Sequence, residues 1–293
     1  LFGLFLGYGE LTREYTISAK EKYYQDIILP LEGPLTPEKE ELILAENARF
    51  QEAFDQISQI EALVLEGTLS QAAGEDLKAQ WAAVTAFYPA FTRVLQQYDR
   101  IQAQEGCLIY DTGYLYLLGK QNKSFPVHLL LLSLCCIFAF GNCLAMEYQS
   151  GAWRLLNASR QGKNRVFLRK AGICALAAAL FSWIPFVCRA IKLSSLFPMR
   201  GLGFTVTNIP AWGSFPLPVP TAAFLLLFIL SQAASLVIVT LGVLLLSMWR
   251  RDHIQTIFFS ALIFAAPLVL MLLGFDFAKW FSVYPLYTWT AMG

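Results

Sequence analysis

The sequence predicts an all-α fold: a polytopic transmembrane helix bundle with an extracytoplasmic α-helical hairpin domain. Three observations predict it. Four apolar runs lie between Ser124 and Phe277, and each supplies the about 20 residues that a helix needs to cross a hydrocarbon core of roughly 30 Å. Hydrophobic residues make up 56% of the chain and charged ones 15%, well below the about 25% usual for soluble domains. The charges are also divided. Residues 10–123 carry 18 acidic against 10 basic side chains, a net of −8, whereas residues 124–293 carry 3 against 12, a net of +9. An acidic, amphipathic part is therefore joined to a basic, apolar one.

Residues 1–9, within LFGLFLGYGE, read as the end of a truncated first transmembrane helix. The alternative, a signal-peptide remnant, lacks a small-residue cleavage site before the polar segment. Residues 10–123 then form the extracytoplasmic helical domain. Thr36 is a candidate N-cap with Pro37 in the first helical position, and Glu38, Glu40 and Glu41 suit the positive end of the dipole. Phe50, Phe54, Ile57, Ile60 and Val64 recur at helical spacing, and Gly67 ends the helix. A second helix is expected from about Ser70 to Ile101, with Leu77, Trp81, Val84, Tyr88, Phe91, Leu95 and Tyr98 on one face and a kink at Pro89. The two faces either close on each other as an antiparallel hairpin or leave a peptide-binding groove. After Gly106 the chain returns to the membrane, with Tyr110, Tyr114 and Tyr116 expected at the interface.

The membrane part reads as helices over 124–146, 171–192, 221–248 and 256–275, with a segment 276–293 leading to a last span. The intervening stretches 147–170 and 249–255 are short and rich in Lys and Arg, which places them in the cytoplasm and residues 10–123 and 193–220 outside the cell membrane. The loop 193–220, with five prolines and Trp212, is expected at the headgroup level, as a connector or as a gate. Pro185 and Pro267 either shape the bundle or act as hinges.

Much chemistry is excluded. Cys135, Cys136, Cys143, Cys174 and Cys188 fall in apolar spans as small hydrophobes, and Cys107 has no local partner. No CxxC occurs, and His128 and His253 are far apart in sequence, so no zinc site is expected. There is no phosphate-binding G-x-x-x-x-G-K-[ST], no H-E-x-x-H and no G-x-S-x-G. The spans offer Asn142, Gln232 and hydroxyls but no Asp, Glu or mid-span Lys, which disfavours an ion-driven transporter. Asn142 and Gln232 are expected to hydrogen-bond between helices. The chain is not expected to be an enzyme or to bind nucleic acid.

The remaining signal lies in Glu147–Lys170. Glu147 sits at the inner membrane edge, Gly151 follows, and Ala152–Trp153–Arg154–Leu155–Leu156 has the composition of a short amphipathic helix. Ser159 to Lys163 makes a polar turn, and Arg165 to Lys170 leads into the next span. Charge alone reads as a positive-inside anchor. The spacing of Glu147, Gly151, Leu155, Leu156, Gly162, Lys163 and Lys170, however, resembles the segment after the second span in permeases of ABC-2-type ATP-binding-cassette exporters. LPLEGPLTPEKEELI (Leu29–Ile43) and YDTGY (Tyr110–Tyr114) are similar to stretches in relatives with a large helical insertion. Lys163 stands where Arg is frequent in the family, and its sixth span is not visible here.

The resemblance implies a membrane subunit in which Glu147, Gly151, Trp153, Arg154, Leu155, Leu156, Gly162, Lys163 and Lys170 form an ATPase-coupling segment. It implies a homodimer or heterodimer of permeases in the lipid bilayer, ATP bound by a partner ABC ATPase subunit, and no cofactor in this chain. The cargo would be lipid-like, peptide or amphipathic. The competing expectation is a non-transporting membrane sensor or scaffold whose extracytoplasmic domain binds a ligand.

Overall fold

The computed structural model describes residues 8–9, 11–12, 14–103, 106–118, 125–152, 154, 162–213, 215 and 217–286, apart from the side chains of 125, 162 and 163. It is a helical protein, about 80% helix. The chain divides into two compact units. One comprises residues 1–13, 112–198 and 222–293; the other comprises 14–111 and 199–221.

The acidic unit contains α1 (Ala19–Leu31), α2 (Pro37–Leu65), α3 (Gln71–Thr85) and α4 (Tyr88–Ala103), with a short antiparallel ribbon of β1 (Gly33–Pro34) and β2 (Cys107–Leu108). Each start has a local cause. The hydroxyls of Ser18, Thr36 and Ser70 accept from Glu21, Lys39 and Ala73 backbone N–H groups, satisfying donors that a helix start leaves free. Between α2 and α3 the chain reverses at Gly67, whose φ of +73° falls where Cβ-bearing residues are strained. The two helices then pack closely. Gly74 is buried at that contact, and a Cβ there would lie 2.4 Å from Val64 Cγ2.

The expected second arm is two helices, not one kinked helix. It breaks at Ala86–Phe87, because the Pro89 ring lacks an N–H and would crowd the carbonyl one turn back. Pro89 instead occupies the first turn of α4, where that loss costs little. The break also redirects the second half. α4 packs mainly on α1, which the sequence pattern left as a lead-in, rather than lying along α2. Its buried face is Ala90, Phe91, Val94, Gln97 and Tyr98. The aromatic stripe is therefore core rather than groove: Phe50 stacks on Phe91 at 5.2 Å, and Phe54 meets the edge of Tyr88 at 5.0 Å.

A buried polar cluster ties the same elements together. The Arg93 guanidinium donates to Asp111 at 2.8 Å and to Glu21 at 2.9 Å, and it lies 3.8 Å over the Tyr24 ring. Tyr24 donates to Asp111, and Gln97 bonds both the N–H and the carbonyl of Ile109. Burial pushes the Asp111 carboxyl above its ordinary range, while Arg93 and the Tyr24 hydroxyl pull it back. Tyr110 and Tyr114 are fully buried instead of interfacial, and the Tyr110 hydroxyl donates to Glu21 at 2.8 Å. Trp212 is likewise buried, so its ring is not presented to headgroups. Its segment 199–221 belongs to the acidic unit, where Thr205 bridges Pro220.

The membrane unit holds α5 (Thr112–Leu117), α6 (Phe125–Gln149), α7 (Gly162–Leu196), α8 (Thr221–Arg250), α9 (His253–Ser260) and α10 (Ala266–Leu272). Four helical stretches, Pro126–Gln149, Asn164–Leu196, Thr221–Arg250 and His253–Leu272, are each long and apolar enough to cross a membrane. Much of their apolar surface faces outward, as a hydrocarbon solvent permits. Phe138, Leu176, Leu227 and Leu262 are all exposed. α7 is longer than expected: its 35 residues span about 52 Å, so it takes in Arg165–Lys170 and runs beyond any bilayer core.

Between α9 and α10 one π-helical turn, Ala261–Ala265, precedes Pro267. The widened turn accommodates a proline that a regular α-helix would not. Asn142 and Gln232 make no hydrogen bond among the described residues. Bonds between segments come from hydroxyls: Ser133 on α6 meets the Tyr284 hydroxyl at 2.7 Å, and Ser247 on α8 donates to the Gly141 carbonyl of α6 at 3.2 Å. A hydroxyl reaches a neighbouring helix without the extra volume of an amide.

Two expected outcomes follow from this packing. Gly74→Val should overfill the α2–α3 contact and destabilise the acidic unit by about 1–3 kcal/mol, read from the thermal unfolding of purified protein. Cys143 and Cys174 lie on α6 and α7 with their sulfurs 3.9 Å apart. Copper–phenanthroline oxidation should therefore protect both from maleimide labelling, and Cys143→Ser should restore labelling of Cys174; full labelling of the oxidised parent would contradict this helix pairing.

Candidate functional site

Successive helices of the membrane unit alternate in direction, which gathers their basic termini at one end. The last turn of α6 supplies Glu147, Tyr148 and Gln149, and α7 supplies Lys170 two turns after its start. α8 ends at Arg250 and α9 begins at His253. Lys170 Nζ forms an ion pair with Glu147 Oε1, clamping α6 to α7. Both side chains are half-buried, so the pair is less screened than a surface bridge. Glu147 Oε2 is buried with no hydrogen-bond partner, which leaves acceptor capacity at the clamp.

Two tight turns frame this pair. α6 ends with Ser150 N–H donating to the Met146 carbonyl and Gly151 N–H to Tyr148. Gly151 sits at φ +75°, the left-handed conformation that commonly closes a helix. The α8–α9 junction has only Arg251 and Asp252. Asp252 caps α9 by accepting from Gln255 N–H at 2.9 Å, so the reversal falls on Arg251 at φ +58°. Arg251 is the one residue with a Cβ in the left-handed region among the described residues. That conformation costs roughly 1–2 kcal/mol relative to a glycine.

The junction is held by ring and amide contacts. Gln149 meets His253 Nδ1 at 3.3 Å, joining the end of α6 to the start of α9. The Arg250 guanidinium lies 4.2 Å from both the Trp249 and Phe259 rings, and Arg251 lies 5.4 Å from the Tyr148 ring. A cavity of about 530 Å³ opens here, lined by Tyr148, Gln149, Ser150, Gly151, Arg154 and Arg251. Its lining is predominantly polar and includes no carboxylate among the described residues.

The structure brings together Glu147, Gly151, Arg154 and Lys170 of the expected coupling segment. Gly162 and Lys163 lie in the first turn of α7, and Lys170 is eight positions on from Gly162, about 12 Å along the axis. Trp153, Leu155 and Leu156 lie outside the described residues, as does most of the short helix expected around them. The sequence places 147–170 and 249–255 on the same side of the membrane, but it does not single out Tyr148, Gln149, Arg250, Arg251 or His253 as site residues. The Arg250–His253 run was legible as a topological marker, but only the alternating helix directions carry it to Glu147.

A second charged group was also overlooked. Arg189 falls three residues before the expected end of its span at 192, but α7 continues to Leu196 and Arg189 is only 3% exposed. It lies 3.2 Å from His128 Nδ1, at the opposite end of the unit from His253. Among the described residues no group of three or more His, Cys, Asp or Glu side chains could hold a metal ion, and every described cysteine is free.

No family model, curated protein or solved structure matches the chain.

The clamp yields a double-mutant test. Glu147→Gln and Lys170→Gln each leave a half-buried charge without its partner, and each should lower stability by about 1–2 kcal/mol in thermal unfolding. The double variant should cost clearly less than the sum of the two. Additive losses would mean that the two side chains do not interact.

Proposed function

We propose that the chain is the membrane-spanning permease subunit of an ABC-2-type exporter, working as a dimer with separately encoded ATPase subunits. The observation that supports this reading best is the clamp of Glu147 on Lys170 beside the Gly151 turn, at the end where four helix termini meet. The sequence similarity of Glu147–Lys170 to the family's coupling segment gives that clamp a purpose. An ATPase engaging the residues after Gly151 would move the end of α6, and the ion pair would carry the displacement into α7. The α8–α9 turn would follow through Gln149–His253 and Tyr148–Arg251.

Energy enters from outside the chain, because the sequence has no phosphate loop of its own. The apolar, outward-facing helix surfaces suit lipid-like, peptide or amphipathic cargo moving along a subunit interface. The acidic unit would lie outside the membrane and the basic end in the cytoplasm, by the distribution of Lys and Arg in the short connections.

Docking and coupling separate experimentally. Leu155→Asp with Leu156→Asp should abolish co-purification of the ATPase. Lys170→Gln should leave the ATPase bound but lower ATP-driven cargo flux by tenfold or more in proteoliposomes, with hydrolysis continuing. An intact complex with no ATP-dependent flux, and no stimulation of hydrolysis by any cargo class, would overturn the exporter reading in favour of a sensor or scaffold.

A further inference from the structure

We propose that the cavity between the α6 and α8 termini is a phosphate-group site, filled by the headgroup of an anionic phospholipid. The site rests on the membrane placement of the four helices and is independent of the exporter reading. Its chemistry comes from Arg154 and Arg251, two guanidinium-bearing residues lining a space with no carboxylate among the described residues. Of the two acids close by in sequence, Glu147 is paired with Lys170 through one oxygen, and Asp252 caps α9 by accepting from Gln255 N–H. Guanidinium forks match the oxygens of a phosphate and hold them by charge-assisted hydrogen bonds. Tyr148, Gln149 and Ser150 complete the polar lining, with the Ser150 hydroxyl turned to the Glu147 carbonyl and the Gln149 amide to His253. At about 530 Å³ the cavity admits a glycerophosphate headgroup and is roomy for a bare phosphate ion.

The backbone at Arg251 points the same way. A left-handed residue closing a helix is ordinarily glycine, and an arginine there is strained. With that backbone conformation the Arg251 side chain lies near the Tyr148 ring and lines the cavity. The surroundings favour a lipid over a soluble anion. Met146 and Trp249, beside the cavity on the ends of the same two helices, are 62% and 70% exposed. An indole at that level belongs to the membrane interface, and outward apolar residues give acyl chains a surface to follow. Basic pockets between transmembrane helices at a membrane face bind acidic headgroups for the same reason.

The test uses the full chain purified in neutral detergent, without any ATPase. It is loaded from mixed micelles of phosphatidylglycerol and phosphatidylcholine, washed, and assayed for retained lipid by mass spectrometry. The parent should retain about one phosphatidylglycerol per chain in clear preference to phosphatidylcholine. Arg154→Gln and Arg251→Gln should each lower retention roughly five- to tenfold. Arg251→Gly relieves the backbone strain, so it should melt no lower than the parent yet lose the lipid equally, separating binding from folding. Lys279→Gln, at the other end of the unit, should change nothing. Equal retention of the two lipids, or undiminished retention in both arginine variants, would overturn the site. Displacement of the lipid by millimolar inorganic phosphate would overturn the lipid assignment and make it a soluble-phosphate site.

Discussion

A backbone that crosses hydrocarbon must satisfy its hydrogen bonds within itself, and this constraint orders the whole basic half of the chain. The four long helices meet it along their lengths. Several of their hydroxyls obey it too: Ser133 and Ser235 donate to carbonyls one turn back, and Thr256 donates to the Asp252 carbonyl. What helical hydrogen bonding leaves unsolved is the termini. Unpaired carbonyls, charged side chains and chain reversals therefore collect at the ends, where Glu147, Lys170, Arg250, Arg251 and His253 meet. The feature most suggestive of function lies there because polar chemistry is affordable there.

The acidic unit solves the opposite problem. It buries charge in a protein core and compensates each group with a partner. Arg93 bridges Asp111 and Glu21, and Tyr24 and Gln97 complete the shell. Removing one member would strand the others in a low-dielectric site, so the cluster specifies one arrangement of α1, α4 and the β2 exit. Asp111 ends one part of the acidic unit in sequence, and Thr112 begins the next part of the membrane unit.

Sequence alone made three of the four long helices legible to within about three residues, because length and lack of charge are properties of a continuous run, whereas α7 begins at Gly162 instead of 171. Thr221–Arg250 and His253–Leu272 were visible for that reason. The acidic half was less so. The apolar pattern through Trp81, Val84 and Tyr88 continues in phase across Pro89, so periodicity joined α3 and α4 where backbone sterics separate them. α1 went unread because its buried residues are Tyr24, Ile28 and Leu31, a short stripe with Pro30 inside it. The candidate site was half legible. Glu147 and Lys170 stood out by spacing, whereas Arg251 and Tyr148 meet through space across more than a hundred residues. Arg251 carries a signal in its backbone conformation that no sequence pattern encodes.

The central claim is that the basic end receives a nucleotide-hydrolysing partner. A photo-crosslinking amino acid in place of Arg154, activated in intact cells and followed by mass spectrometry, tests it most directly. The account predicts an adduct with a protein carrying a G-x-x-x-x-G-K-[ST] phosphate loop, and no such adduct from the same probe in place of Glu66 at the α2–α3 turn. Adducts with that partner from position 66, or none from position 154, would contradict it.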